Sequence, residues 1–267
     1  MSLFYSSRGT ILFQRRVAHG EYANVLHQTG DSLSVLKSFK EAEKYQMMQE
    51  PGSSFLYSRL GFHYCDFLLA QNKVQEVIRR GKYALKISLE AQKNDKPYTG
   101  VSAMGLLDVA LDRLTLGRAY LQQGNFSEAS QWLNQAVNDL YKEGSQDDLP
   151  RGLLARAALL RDIRNPNRDF ARARQDLQEV YDIAEPSGMR LHLTDYHLEM
   201  ARLLLAERED SVGSFSGNGM HTIQEHAAQA AKLIEETGYK RRLPELQELQ
   251  HKISAIAAND TGLNTQC

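Results

Sequence analysis

Between residues 110 and 143 the apolar and small positions form two helical stripes separated by one turn. Leu116, Gly117 and Tyr120 precede the turn, Gly124 and Asn125 make it, and Phe126, Ala129, Leu133 and Ala136 follow. Steps of three and four residues put each set on one face of a helix. Small residues at Gly117, Ala129 and Ala136 let two antiparallel helices approach closely, while Tyr120, Phe126 and Leu133 fill the space beside them. The offsets recur upstream. Over residues 16–49 they are met by Ala23, Leu26, Gly30, Asp31, Val35, Phe39 and Ala42. From residue 54, Leu60, Gly61 and Tyr64 repeat the first helix; after about one additional turn, Gln71 and Asn72 precede Val77, Gly81 and Ala84.

Downstream the pattern continues in looser form. Residues 150–161 read as a helix with Ala157 and Leu160 on its packed face, Asn165-Pro166-Asn167 as a turn, and Phe170, Ala173, Leu177 and Val180 as the helix that follows. A further pair runs over residues 191–207, with Ala201 and Leu204, and from His221, with Ile223, Ala227, Ala230 and Ile234. Residues 209–220 hold glycines and serines without an apolar period and read as a mobile loop. Pro244 opens a closing helix over residues 243–257, where Leu246, Leu249, Ile253 and Ile256 share a stripe. Residues 258–267 read as a disordered tail. Residues 1–15, with apolar Leu3, Phe4, Tyr5, Ile11, Leu12 and Phe13, are left as a cap or linker ahead of a single helical domain over residues 16–257.

The signature of residues 110–143 resembles the tetratricopeptide repeat, and the likeness extends loosely over residues 16–237. It implies an all-α, right-handed α-solenoid of about five helical hairpins plus a C-terminal capping helix. Stretches such as residues 148–157, 188–191, 197–199 and 235–239 are similar to a bacterial subgroup often joined to signalling NTPase or protease-like domains. That likeness implies a bacterial protein and the sensor or docking part of a signalling system. In this repeat family the first helix of each hairpin lines the concave groove. The register carries Asn24, His27, Phe62, Asp66, Arg118, Gln122, Arg151, Arg161, Asp195 and Arg202 onto that surface, together with Gln28, Cys65 and neighbouring leucines.

Charge narrows the choice of partner. The net charge of −1 over 267 residues provides no overall attraction for nucleic acid or an acidic membrane surface. Arg118, Arg151, Arg161 and Arg202 could form a fork of donors for an acidic segment or a chain terminus; paired instead with Asp112, Asp162 and Asp195, they are an ordinary solvated face. Residues 151–174 carry seven arginines against Asp162 and Asp169, but Phe170 is the one aromatic residue among them that could stack a base. Nucleic-acid binding is therefore the lesser alternative, and self-association as a structural scaffold is the other.

Candidate chemistry is sparse. No phosphate-binding Gly-Lys loop, nucleophile elbow or zinc-protease helix occurs, so the expectation is a non-catalytic protein without cofactor or metal. Two histidine groups offer metal-ligand spacing: His221, Glu225 and His226, and His192, Asp195 and His197. Neither set shows converging ligands with second-shell support, and exposed or packing histidines are the expectation. Two cysteines, Cys65 and Cys267, fit a reducing cytoplasm, and no apolar run reaches the length of a membrane span.

Overall fold

The computed structural model describes residues 2–94, 105–210 and 218–263, with side chains over residues 9–93, 105–210 and 220–258. Among them there are eleven α-helices and no strand: α1 (Ser2–Thr29), α2 (Ser32–Gln49), α3 (Ser58–Ala70), α4 (Val74–Asn94), α5 (Leu106–Gln123), α6 (Phe126–Glu143), α7 (Leu149–Arg161), α8 (Phe170–Ala184), α9 (Arg190–Asp210), α10 (Asn218–Thr237) and α11 (Leu243–Leu263). A short 3-10 turn, Lys240–Arg242, leads into α11. No described helix is long and apolar enough to cross a membrane.

Two compact units divide the range expected to form one domain, Met1–Ser145 and Gln146–Cys267. In the first, α1 packs on α2, α3 on α4 and α5 on α6, while α1 touches α3 and α3 touches α5. The second pairs α7 with α8 and α9 with α10; α9 also meets α7 and α11. Odd-numbered helices are therefore neighbours within each unit.

Three expected boundaries shift. Residues 2–15, expected to be a separate cap or linker, are the first turns of α1, because nothing between Ser2 and Thr29 interrupts the helix. α9 and α10 trim the expected loop at 209–220, leaving residues 211–217 outside the described residues. α11 runs to Leu263, past the expected start of the tail at residue 258.

The turns explain why the helices stop where they do. After α1, α3, α5 and α8 the backbone turns left-handed at Gly30, Asn72, Gly124 and Gly188. The N–H of the next residue then bonds to a carbonyl five residues back: Asp31 to Leu26 (3.0 Å), Lys73 to Leu68 (2.9 Å), Asn125 to Tyr120 (2.9 Å) and Met189 to Ala184 (2.9 Å). This is the Schellman closure, which satisfies carbonyls left over at a helix end. Asn72 does the work of glycine because asparagine tolerates that conformation better than most residues. Asp31, Asn125 and Asp169 then cap the next helix by accepting from the backbone N–H of Ser34, Glu128 and Arg172.

Absent side chains set the helix spacing in the first unit. A methyl group on Gly117 of α5 would stand 2.6 Å from Leu133 Cδ2 and 3.1 Å from the Leu133 backbone nitrogen on α6. Gly81 of α4 makes room for Leu116 of α5, and Gly20 of α1 for Leu60 of α3. Around these contacts lie Val35, Phe39, Ala42, Tyr64, Phe67 and Val77, with the Phe39 and Tyr64 rings stacked at 4.5 Å. The core of the second unit contains Leu153, Leu177, Val180, Leu198, Leu203, Ile223, Ala230 and Leu249.

Gly117→Ala is expected to destabilise the protein by about 1–2 kcal/mol, since overpacking costs more than the gain in helix propensity. Gly9, in α1 with nothing within 4 Å of an added methyl, should respond with the opposite sign and gain up to about 1 kcal/mol as alanine. Urea unfolding of both variants tests the pair; equal shifts would contradict the packing argument.

Candidate functional site

The expected groove residues lie on the odd-numbered helices, and in the first unit they make one polar seam. Asp66 of α3 sits between His27 of α1 and Arg118 of α5: His27 Nε2 is 3.7 Å from Asp66 Oδ2, and Arg118 Nη2 donates to Asp66 Oδ1 at 2.6 Å. The Asp66 carboxylate is buried, so two charged or chargeable partners replace the water it loses. Gln122 extends the seam by donating to the Leu69 carbonyl and to Asn72 Oδ1, each at 3.1 Å. Asn24 accepts from Gln28 at 2.9 Å. Phe62, expected in the groove, is buried at 3% exposure and offers no open surface. Asp66 and His27 are similarly enclosed; Asn24, Arg118 and Gln122 keep access to solvent.

Beside the exposed end of this seam is a shallow hollow of about 550 Å³, lined by Asn72, Lys73, Val74, Gln75, Glu76, Gln122 and Gln123. The amide side chains of Asn72, Gln75, Gln122 and Gln123 in its lining can both donate and accept, a chemistry suited to peptide backbone.

The second unit repeats the arrangement with more charge. Glu199 of α9 receives Arg161 of α7 and, at 3.4 Å, Arg202. Arg202 also reaches Glu245 of α11 at 2.7 Å, and Glu245 pairs with Arg242. Arg242 closes the set on Asp195 at 2.7 Å, where the Tyr239 hydroxyl donates at 3.2 Å. Burial works against the charge on Glu245, but Arg242 and Arg202 outweigh it and pull the carboxyl down to about 2. Burial likewise opposes the charge on Arg202, and Glu199 and Glu245 overcome it, raising its pKa. Three cations and three anions alternate, so the network neutralises itself.

All four arginines of the expected fork are thus occupied by carboxylates of the same chain: Arg118 by Asp66, Arg151 by Asp148 at 3.3 Å, Arg161 by Glu199 and Arg202 by Glu199 and Glu245. None takes Asp112, Asp162 or Asp195, the partners weighed from sequence. Asp112 is buried against α4 and accepts from Ser88 Oγ at 2.8 Å; burial raises its pKa well above the usual range. Burial also pushes the Cys65 thiol up to about 12, far from a reactive thiolate.

The arginine-rich run is neutralised in the same manner. Arg156 forms a buried bidentate pair with Asp176, Arg164 meets Asp162, Arg168 meets Asp210, and Arg174 meets Glu207. Most of these acids lie outside residues 151–174. Glu199, Arg242 and Glu245 were missed as site residues, although Glu199 carries a readable signal: a charge set between Leu198 and Met200 in a buried helix.

Among the described residues no three histidines, cysteines or acids are grouped to hold a metal ion. The chain matches no family model, no curated protein and no solved structure.

A depressed carboxyl pKa gives stability that is complete above the unfolded value, near 4.5, and is lost as the pH falls through the folded value, near 2. The gap in thermal midpoint between the native protein and Glu245→Gln should therefore be widest at neutral pH and close between pH 4.5 and 2. A gap that does not change with pH would show that the network leaves Glu245 untuned.

Proposed function

We propose that the chain is a non-catalytic protein-binding scaffold of tetratricopeptide type, which receives a peptide or partner domain along the face of its odd-numbered helices. The observation that carries this reading is the repeated geometry. In the first unit the three helix pairs close through the same left-handed turn; within each unit the first helices of successive pairs stand side by side, and in the first unit a polar seam crosses them. A rigid, preformed face lowers the ordering cost of binding a peptide.

The internal pairing of Arg118, Arg161 and Arg202 refines the partner. An acidic segment would have to displace Asp66, Glu199 or Glu245, which are already in place and partly desolvated. The amides at Gln122, Asn24 and the adjacent hollow are the more accessible anchors, and they suit an extended peptide whose backbone exchanges hydrogen bonds with them. A sensor or docking role in a bacterial signalling system is the setting implied by the family resemblance.

Asn24→Arg combined with Gln122→Arg obstructs this face without entering the core. Affinity capture should lose the bound chain by roughly tenfold or more, equivalent to about 1.4 kcal/mol, while Lys86→Glu, on the exposed side of α4, keeps it. Equal capture by all three folded proteins would remove the groove from the reading.

Self-association is a second reading with its own observation. Ile11, Tyr22 and Val25 on α1 and Leu33 on α2 are at least half exposed, Leu33 at 91%. Apolar exposure gathered on one hairpin marks an interaction surface. Light scattering across a dilution series should give a mass that falls with concentration and reaches the monomer in Val25→Glu/Leu33→Glu. A monomer at every concentration excludes this reading.

A further inference from the structure

The histidine groups that appear separate in sequence meet in the fold. His197 of α9 and His226 of α10 face each other with their Nδ1 atoms 2.8 Å apart and their ring planes tilted by 44°. A contact this short between two imidazole nitrogens needs one donor and one acceptor, so at least one Nδ1 lone pair is free of a proton. Tyr196 holds both rings from the side, with centroids 5.0 Å from His197 and 5.8 Å from His226. Both imidazoles remain half-buried, open to solvent on one side.

We propose that His197 and His226 form a bis-imidazole clasp for a late first-row divalent cation, with copper(II) preferred. Two nitrogens bound at about 2.0 Å and at a right angle around a metal stand about 2.8 Å apart, the cis spacing of a tetragonal copper(II) site. Tetrahedral zinc sets the same atoms about 3.3 Å apart, and turning of the two rings reaches either spacing. The affinity order of nitrogen donors for the divalent ions of this row places copper(II) first, and that order sets the preference.

Binding requires each ring to turn about its Cβ–Cγ bond until both lone pairs converge beside the line that joins them. The ring that carries the Nδ1 hydrogen passes it to its own Nε2 through solvent, so the exchange of a hydrogen bond for two metal bonds releases no net proton. Water fills the remaining positions. Arg174, whose charge acts on His226, makes two hydrogen bonds to the Glu207 carboxylate at 2.8 and 2.6 Å, which offset that charge. One ligand comes from α9 and the other from α10, so an ion here ties the two helices of one pair together.

The test uses the full chain stripped of metal with a chelator and titrated with copper(II) sulfate, then with zinc chloride and magnesium chloride. Electron paramagnetic resonance of the copper form should show superhyperfine splitting from two imidazole nitrogens at one equivalent. Copper affinity should fall by roughly tenfold or more in His197→Gln and again in His226→Gln, as expected when one of two ligands is removed. His221→Gln, whose exposed ring pairs with Glu225, should bind copper unchanged, zinc should bind more weakly than copper, and magnesium should not compete. The proposal is overturned if the native protein binds no copper at micromolar free ion, if the spectrum shows fewer than two nitrogens, or if both glutamine variants retain full affinity. Because the spectrum is read on the native protein, poor folding of a variant leaves the test intact.

Discussion

Two helices can share a seam at close range only where one of them gives up its side chain, and the first unit depends on that constraint. Gly117 against Leu133 fixes the α5–α6 pair, Gly81 against Leu116 joins α4 to α5, and Gly20 against Leu60 sets α1 on α3. These contacts link each helix pair to the next. Once the backbones are this close, the large residues have few places to go, and Phe39, Tyr64, Leu116 and Leu133 become fully or almost fully buried. Interiors are packed like crystals, so a methyl at such a contact is felt by the whole pair.

Packing brings the odd helices together, and the charges on their adjoining faces must then be satisfied within the protein. Asp66 in the first unit and Glu199 in the second occupy comparable places: each is an acid in an apolar stretch of its helix, met by arginine from a neighbouring odd helix. Such pairs contribute little net stability compared with apolar packing, because desolvation cancels much of the attraction. Their effect is directional. Removing one partner leaves an uncompensated charge, which penalises any sliding of one odd helix along the next.

The sequence made the pairs and their turns legible because both follow local rules. Gly-Asp and Gly-Asn after a helical stripe mean a left-handed stop and an N-cap, and Gly30, Asp31, Gly124 and Asn125 do this. The all-helical character followed from the same stripes. The site was less legible, since its partners are distant in the chain. Counting charge over residues 151–174 suggested a basic patch, yet Asp176, Glu199, Glu207 and Asp210 fold back onto it. Likewise, neither histidine set is complete by its own spacing, and the pairing of α9 with α10 takes one member from each. The start of α1 was missed for another reason: the repeat register begins at residue 16, while nothing in residues 2–15 obliges a helix to begin there.

If the chain binds a partner as proposed, the self-neutralised charges of each unit limit how recognition can proceed. A partner gains nothing from long-range attraction to alternating charges, whose fields cancel within a Debye length. On the proposed reading it would match shape and hydrogen bonds at contact, and the accessible groups for this are the neutral amides at the margin of the first unit's seam and the hollow beside Gln122. Specificity then comes from donors and acceptors that a wrong partner would leave unpaired, at a cost of about 1–3 kcal/mol for each buried group. Under the proposed function, slow, salt-insensitive association with a polar extended chain is the binding behaviour that this distribution of charge favours.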